Sequence, residues 1–229
     1  MAVAKVAKYA SSESGDTLEM IERPSGGISF VLSDGQRSGK PAKAISNVVA
    51  RKAISLLAEG VRDGAAARAA SDYLFTYRSG KVLATLNILS IDLQSHTLVL
   101  TRNNPAPLVL VRGQAIQLLD GPSTSIGSRR DVRPEITEIQ LQPDLIAVVF
   151  TDGLLHAGER KGTGMDVAGS VAQLLNAGPP DPAHWAEELL RRAVELDDGR
   201  PADDISVVVA AILKRQGDDV RRLSLRMAL

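Results

Sequence analysis

Three apolar runs in this sequence each carry a carboxylate at one end. Asp34 closes the run 28–32 through Ser33 and is followed by Gly35. Asp152 closes the run 147–150 through Thr151 and is followed by Gly153. Asp203 and Asp204 open the run 205–211. A strand end is a rigid mount for a side chain, and a glycine after it permits a sharp turn with an accessible carbonyl. Carboxylate and carbonyl oxygens, with no cysteine in the chain and no converging histidine, suit hard cations such as Mg2+ or Mn2+. Carboxylates clustered in a poorly solvated cleft repel one another, and bound cations remove that cost. Each Asp also begins a turn, since Asp-Gly is a common turn dipeptide, and spacing alone does not bring the three places together.

The elements that must position these acids follow from periodicity. The run 28–32 reads as a buried strand, preceded by a leading strand with a few loose residues somewhere before Ser14. Ala42, Ile45, Val48, Val49, Ala53, Ile54 and Leu57 recur at helical spacing from Pro41 onward, and Gly60 stops the helix. A second, alanine-rich helix spans 65–77, with Asp63-Gly64 as the break between the two. Short branched runs at 82–91, 97–101, 108–112, 136–141 and 145–150 are separated by turn residues. They stand too close together for crossover helices, so the strands are mostly antiparallel. Helical spacing returns at 162–177 and 182–196, where Asp181 caps a helix with Pro182 at its first position. A last apolar strand covers 205–212, and the tail from Lys214 is charged. Of the three histidines, His96 lies between strands and His184 beside Trp185 in a helix, both structural or solvated. His156 follows the 151–154 turn closely.

Composition narrows the function. The 229 residues suffice for one domain with a well-buried core, and 44% hydrophobic content argues against disorder. Aromatics are only 3%, which leaves Val, Ile, Leu and Ala to build the core and argues against base stacking on single-stranded nucleic acid. Lys+Arg and Asp+Glu are both 27, so the basic excess of a duplex-binding domain is missing. The absence of cysteine excludes a disulfide framework, thiolate zinc sites and a cysteine nucleophile, and fits a reducing compartment. No stretch is long and apolar enough for a signal peptide or a membrane span. The expectation is a cytoplasmic protein with neither nucleic acid nor membrane as partner.

Five motifs in order then carry a resemblance. Ser14-Gly15-Asp16 is similar to an early Gly-Asp motif, and Leu32-Ser33-Asp34-Gly35 through Gly39 to an Asp-Gly-x-Gly-x-Gly loop. The segment Thr101-Arg102-Asn103-Asn104-Pro105 resembles an Ala-Gly-His-Asn-Pro hairpin. Val149-Phe150-Thr151-Asp152-Gly153-Leu154 resembles Tyr-Thr-Asp-Gly-Leu, and Asp203-Asp204-Ile205-Ser206-Val207 resembles Asp-Asp-Ile-Thr-Leu. Over roughly 14–213 the chain resembles the metal-dependent PPM-type Ser/Thr protein phosphatases, in the bacterial branch that includes SpoIIE, RsbU and RsbX, nearest the stand-alone RsbX type.

The resemblance implies an α+β fold, two packed antiparallel sheets flanked by helices on both sides (an αββα sandwich), in a single phosphatase domain over 1–229 with a core at 14–213 and a charged tail at 214–229. It implies two divalent cations, Mn2+ or Mg2+, bridged by Asp34. The Gly35 carbonyl, Asp152 and Asp203 complete the set, Asp204 supports it, and Asp16 lies close by. Arg37 stands where the family's loop has glycine, and the N-terminal phosphate-binding arginine of larger relatives has no match in the first thirty residues. Arg37 takes that role here, its guanidinium offering a planar fork to phosphate oxygens. The implied reaction is hydrolysis of phosphoserine or phosphothreonine by an activated water, on STAS-domain proteins of a bacterial stress-signalling complex of stressosome type. Two alternatives stand beside it: a catalytically weak PPM-fold partner-binding protein, which the Arg37 departure favours, and a hydrolase of small phosphoesters.

Overall fold

A computed structural model describes residues 1–214; residues 215–229 of the expected charged tail lie outside the described residues. One sheet runs in the order β1 (Ala2–Val6), β10 (Ile205–Ile212), β9 (Leu145–Phe150), β6 (Leu108–Arg112), β7 (Ala115–Leu119). The other runs β2 (Asp16–Glu22), β3 (Gly27–Asp34), β4 (Leu86–Asp92), β5 (Thr97–Asn103), β8 (Glu135–Gln140). All the strand pairings are antiparallel.

The sheets face each other across a core in which Phe30, Leu32, Leu89 and Leu100 meet Leu110, Ala147, Val149 and Val208. Helices α1 (Gly39–Ala58) and α2 (Asp63–Arg78) cover the outer face of the second sheet, packing Ala50, Ala53, Ala67 and Leu74 around Val31 and Ile88. Helices α4 (Val167–Ala177) and α5 (Pro182–Leu196) cover the first, with Val171, Trp185 and Leu189 over Val148 and Val207. The architecture is the αββα sandwich. Because β9 is buried on both faces, its sequence is a continuous apolar run with no alternation, and all six of its residues are buried. Alanine dominates the buried faces of α1 and α2 because a small side chain lets a helix backbone lie close to the sheet.

Several boundaries differ from the sequence reading. β1 begins at Ala2 with almost no loose lead. β2 and β7 have no counterpart in it: both are edge strands with mixed burial, and β2 carries Asp16, Glu19 and Glu22 in seven residues. The strand expected over 82–91 starts only at Leu86, since Ala84 instead makes isolated bridges to Gly35 and Ile126. α4 starts at Val167, where the Asp166 carboxylate caps the helix by accepting from the Gly169 amide. Asp181 caps α5 ahead of Pro182.

Asp63-Gly64 is not the break between the first two helices; Asp63 is the first residue of α2. An ion pair holds it there. The Arg23 guanidinium donates to Asp63 Oδ1 at 2.6 Å and to the Val61 carbonyl at 3.0 Å, with both charged side chains 7% exposed. Removing one partner strands the other charge in the interior. Asp63→Ala is therefore expected to cost about 3–5 kcal/mol, and Arg23→Met with Asp63→Leu much less. Denaturant unfolding of both variants checks this, and equal losses would refute it.

Candidate active site

The acids gather at the end of the sandwich where the two sheets are tied together. Asp16 and Asp34 are opposed at the end of the β2–β3 ladder, in the second sheet. Asp152 opens a single helical turn, α3 (Asp152–Leu155), directly after β9, and Asp203 and Asp204 lead into β10, both in the first sheet. Asp16 Oδ2 crosses between the sheets, accepting from the Thr151 hydroxyl at 3.0 Å and the Ser206 hydroxyl at 2.6 Å. Thr151 Oγ1 in turn accepts from the Ser206 amide at 3.0 Å. Asp16 is fully buried, yet its Oδ1 has no hydrogen-bond partner.

The glycines beside the acids act through close approach. Neither Gly35 nor Gly153 has a positive φ. A Cβ on Gly35 would lie 2.0 Å from the Ala42 carbonyl oxygen, and one on Gly153 2.1 Å from the Asp204 carbonyl oxygen. Gly35 seats the first turn of α1 against the Asp34 loop, and Gly153 seats α3 against the start of β10.

Electrostatics reflect the crowding. Burial first, then the charges of Asp16 and Asp152, push the Asp34 carboxyl up to about 9. Burial lifts Asp16 to about 6, opposed by its Ser206 hydrogen bond and the Lys5 charge. Burial and the charge of Asp203 raise Asp152. Two ammonium groups lie against this cluster: Lys5 Nζ and Lys43 Nζ both donate to the Asp16 carbonyl oxygen, at 2.6 and 2.7 Å. Burial and the Lys43 charge lower the Lys5 pKa.

Among the described residues, no group of three His, Asp or Glu side chains converges tightly enough to enclose a cation. Asp16 faces Asp34 across the ladder, Asp34 also feels the charges of Asp152 and Asp203, and Asp152 feels that of Asp203. The donor chemistry nonetheless fits a hard divalent ion: oxygen ligands only, one buried acceptor without a partner, and three carboxyls raised by their surroundings.

Other residues fall into supporting places. Asp204 is buried and binds the N-terminal loop, its Oδ1 accepting from the Lys8 amide and its Oδ2 from the Gly15 amide, both at 2.9 Å. Arg37 is exposed, takes φ +79°, and makes no hydrogen bond or ion pair among the described residues. His156 is exposed and pairs with Glu159 at 2.7 Å. His184 is exposed, and His96 is in a hairpin turn at φ +56°. Sequence reasoning missed Lys8, whose Nζ lies 4.0 Å from Asp203 Oδ1; a search of the N-terminus for arginine passes over it. It also missed Thr151 and Ser206 as hydrogen-bond donors to Asp16, although both stand inside the motifs that flagged Asp152 and Asp203.

Residues 24–213 match the family described as Stage II sporulation protein E (SpoIIE). The chain is 22% identical over 211 residues to Stage II sporulation protein E of Priestia megaterium, covering 92% of this chain and 36% of that protein, so it spans about a third of this curated relative. The PP2C phosphatase domain of Bacillus subtilis SpoIIE, solved with a fragment of its regulatory domain, superposes with a TM-score of 0.81 at 22% identity, covering 94% of this chain and 63% of that one. RsbX in complex with magnesium superposes at 0.67 and 14% identity, covering 90% and 92%. The likeness to the SpoIIE domain thus exceeds that to RsbX in both fold and sequence. A sequence match that runs from the end of β2 past β10, on a sandwich of the PP2C type, leaves one assignment: the chain belongs to the SpoIIE family.

Proposed function

We propose that this chain is a metal-dependent protein Ser/Thr phosphatase that hydrolyses phosphoserine or phosphothreonine on another protein. The observation that carries this reading is the set of carboxylates at the junction of the two sheets, Asp16 buried and Asp34 and Asp152 half-buried, with Asp34 pushed up to about 9. Asp34, Asp152, Asp203 and the Gly35 carbonyl would hold two divalent cations, Mn2+ or Mg2+, with Asp204 in support. Cations held there supply Lewis acidity to the phosphoryl oxygens and make a water nucleophilic near neutral pH. Asp16, its Oδ2 fixed by Thr151 and Ser206, offers the free Oδ1 as acceptor that orients the attacking water. Lys8, beside Asp203, and Arg37, on the loop after Asp34, are the cations that meet the phosphate.

The substrates in this reading are STAS-domain proteins of a bacterial stress-signalling pathway of stressosome type, and the site of action is the cytoplasm. No helix among the described residues is long and apolar enough to cross a membrane. The test is turnover of a phosphoserine peptide with Mn2+. Activity no higher than that of Asp34→Asn ends the enzyme reading and leaves a partner-binding protein of the same fold. Better turnover of small phosphoesters than of peptide would replace the protein substrate with a metabolite. A pulldown from stressed and unstressed cells that recovers no STAS-domain protein removes the partner class alone.

A further inference from the structure

The turn that begins with Lys8 is rigidly tied to the loop that carries Asp203. The Lys8 amide donates to Asp204 Oδ1 at 2.9 Å, the Tyr9 amide to the Pro201 carbonyl at 2.9 Å, and the Ser11 amide back to the Lys8 carbonyl at 3.0 Å. Ala10 completes the turn at φ +63°, a left-handed conformation disfavoured for a residue with a Cβ. The turn leaves Tyr9 57% exposed in a chain with only seven aromatic residues. The Arg200 guanidinium lies over the Tyr9 ring, 5.3 Å from its centroid.

Arg200 belongs to the loop leading into Asp203, and that loop is itself fixed. The Arg200 amide donates to the Asp197 carbonyl at 2.9 Å, and the Asp197 carboxylate accepts from the Gly158 and Ala202 amides at 2.9 and 2.8 Å. Arg200 is exposed and, among the described residues, has no ion pair. Lying over the ring, the guanidinium has N–H groups to offer a planar acceptor. Hydrolysis of the phosphoester as proposed above uses neither residue, yet both are built into the two segments that border Asp203 and Asp204.

We propose that Tyr9 and Arg200 form a specificity subsite for the peptide segment flanking the phosphorylated residue, and that Arg200 selects an acidic side chain there. This rests on the phosphatase reading. The Tyr9 ring is a rigid apolar surface for an extended peptide, and the Arg200 edge pairs with an Asp or Glu carboxylate. A Gln at the same place offers the guanidinium no charge to pair with, so the subsite separates acidic from neutral flanks.

The experiment uses the full chain with Mn2+, a pair of phosphoserine peptides that differ only in carrying Glu or Gln beside the phosphoserine, and p-nitrophenyl phosphate. Arg200→Ala is expected to lower kcat/KM for the Glu peptide relative to p-nitrophenyl phosphate about tenfold, mainly through KM, with the Gln peptide changed much less; tenfold is the loss of one contact of ordinary strength. Tyr9→Ala should do the same and Tyr9→Phe should not, because the ring and not the hydroxyl holds the guanidinium. A ratio that stays constant in Arg200→Ala, through equal losses on all three substrates or through none, overturns the subsite. Binding of both peptides to Asp34→Asn protein, read by fluorescence anisotropy, measures the preference without turnover: equal Kd values for the Glu and Gln peptides also overturn it. If the native chain turns over none of the substrates while preferring the Glu peptide in binding, the phosphatase reading fails and the subsite stands.

Discussion

Replacing Asp34 with asparagine is expected to reduce cation-dependent turnover by about three orders of magnitude, equivalent to roughly 4 kcal/mol of barrier, while making the cation-free fold more stable at alkaline pH. Both outcomes have one cause. Asp34 is half-buried at a strand end opposite Asp16, with Asp152 and Asp203 near enough to raise it further. With its folded pKa pushed up to about 9 from an ordinary 3.8, proton loss costs more in the folded state than in the unfolded one. The fold has its full stability from this group below about pH 4 and loses it progressively as pH climbs to 9, by at most about 1.4 kcal/mol per pH unit for one carboxyl. Asp16 adds a narrower loss between about 4 and 6.

Asparagine keeps the shape and removes the charge. In the presence of a chelator, the melting temperature of the native chain should therefore fall between pH 5 and 9, and that of Asp34→Asn should be nearly flat above pH 6. Added Mn2+ should flatten the native profile, because cations held among the acids replace the missing countercharge. It should do much less for the variant. Parallel pH profiles with and without Asp34 would show that this carboxyl is not the strained one.

How far the sequence reveals this site depends on burial. The runs through Phe30, Phe150 and Val208 announce themselves because both their faces are covered, and each carries an acid at the end that reaches the sheet junction. β2 is hidden from the same reading: as an edge strand it mixes Glu19 and Glu22 with apolar residues, so Asp16 can be picked out only through the Gly-Asp motif. The convergence of Asp16 with Thr151 and Ser206 spans separations of 135 and 190 residues, and no local pattern encodes it. Lys5 and Lys43 are invisible for a related reason. They contact a backbone carbonyl, which leaves no trace in residue type. Arg23 and Asp63 are plain surface residues by composition, and only the fold buries them against each other.

The glycines show where a correct identification carries an incomplete reason, and they set the second large effect. A glycine after a strand-end acid suggests turn flexibility, but the φ of Gly153 is one any residue accepts. What excludes a side chain is backbone: a Cβ there would meet the Asp204 carbonyl oxygen at 2.1 Å, the Asp204 carbonyl carbon at 2.9 Å and Ile205 Cγ1 at 3.2 Å. No rotamer change relieves a clash with a main-chain carbonyl, so the α3 turn and the start of β10 must separate. Gly153→Ala is expected to cost about 3 kcal/mol, the upper end for inserting one methyl group into packed structure. The displacement moves Asp152 away from Asp203, and the protein that remains folded should lose about 100-fold in turnover, as an ångström of misplacement does elsewhere. Gly164→Ala is the matched control, since its nearest neighbour would be Glu159 Cγ at 3.6 Å and its φ is also ordinary; it should stay within about 0.5 kcal/mol. Denaturant midpoints for both variants, with turnover measured at saturating Mn2+ under conditions where each is folded, separate the two losses. If Gly153→Ala unfolds at the same midpoint as Gly164→Ala, the contact between α3 and β10 is softer than the backbone geometry requires. In that case Asp152 is positioned by β9 alone.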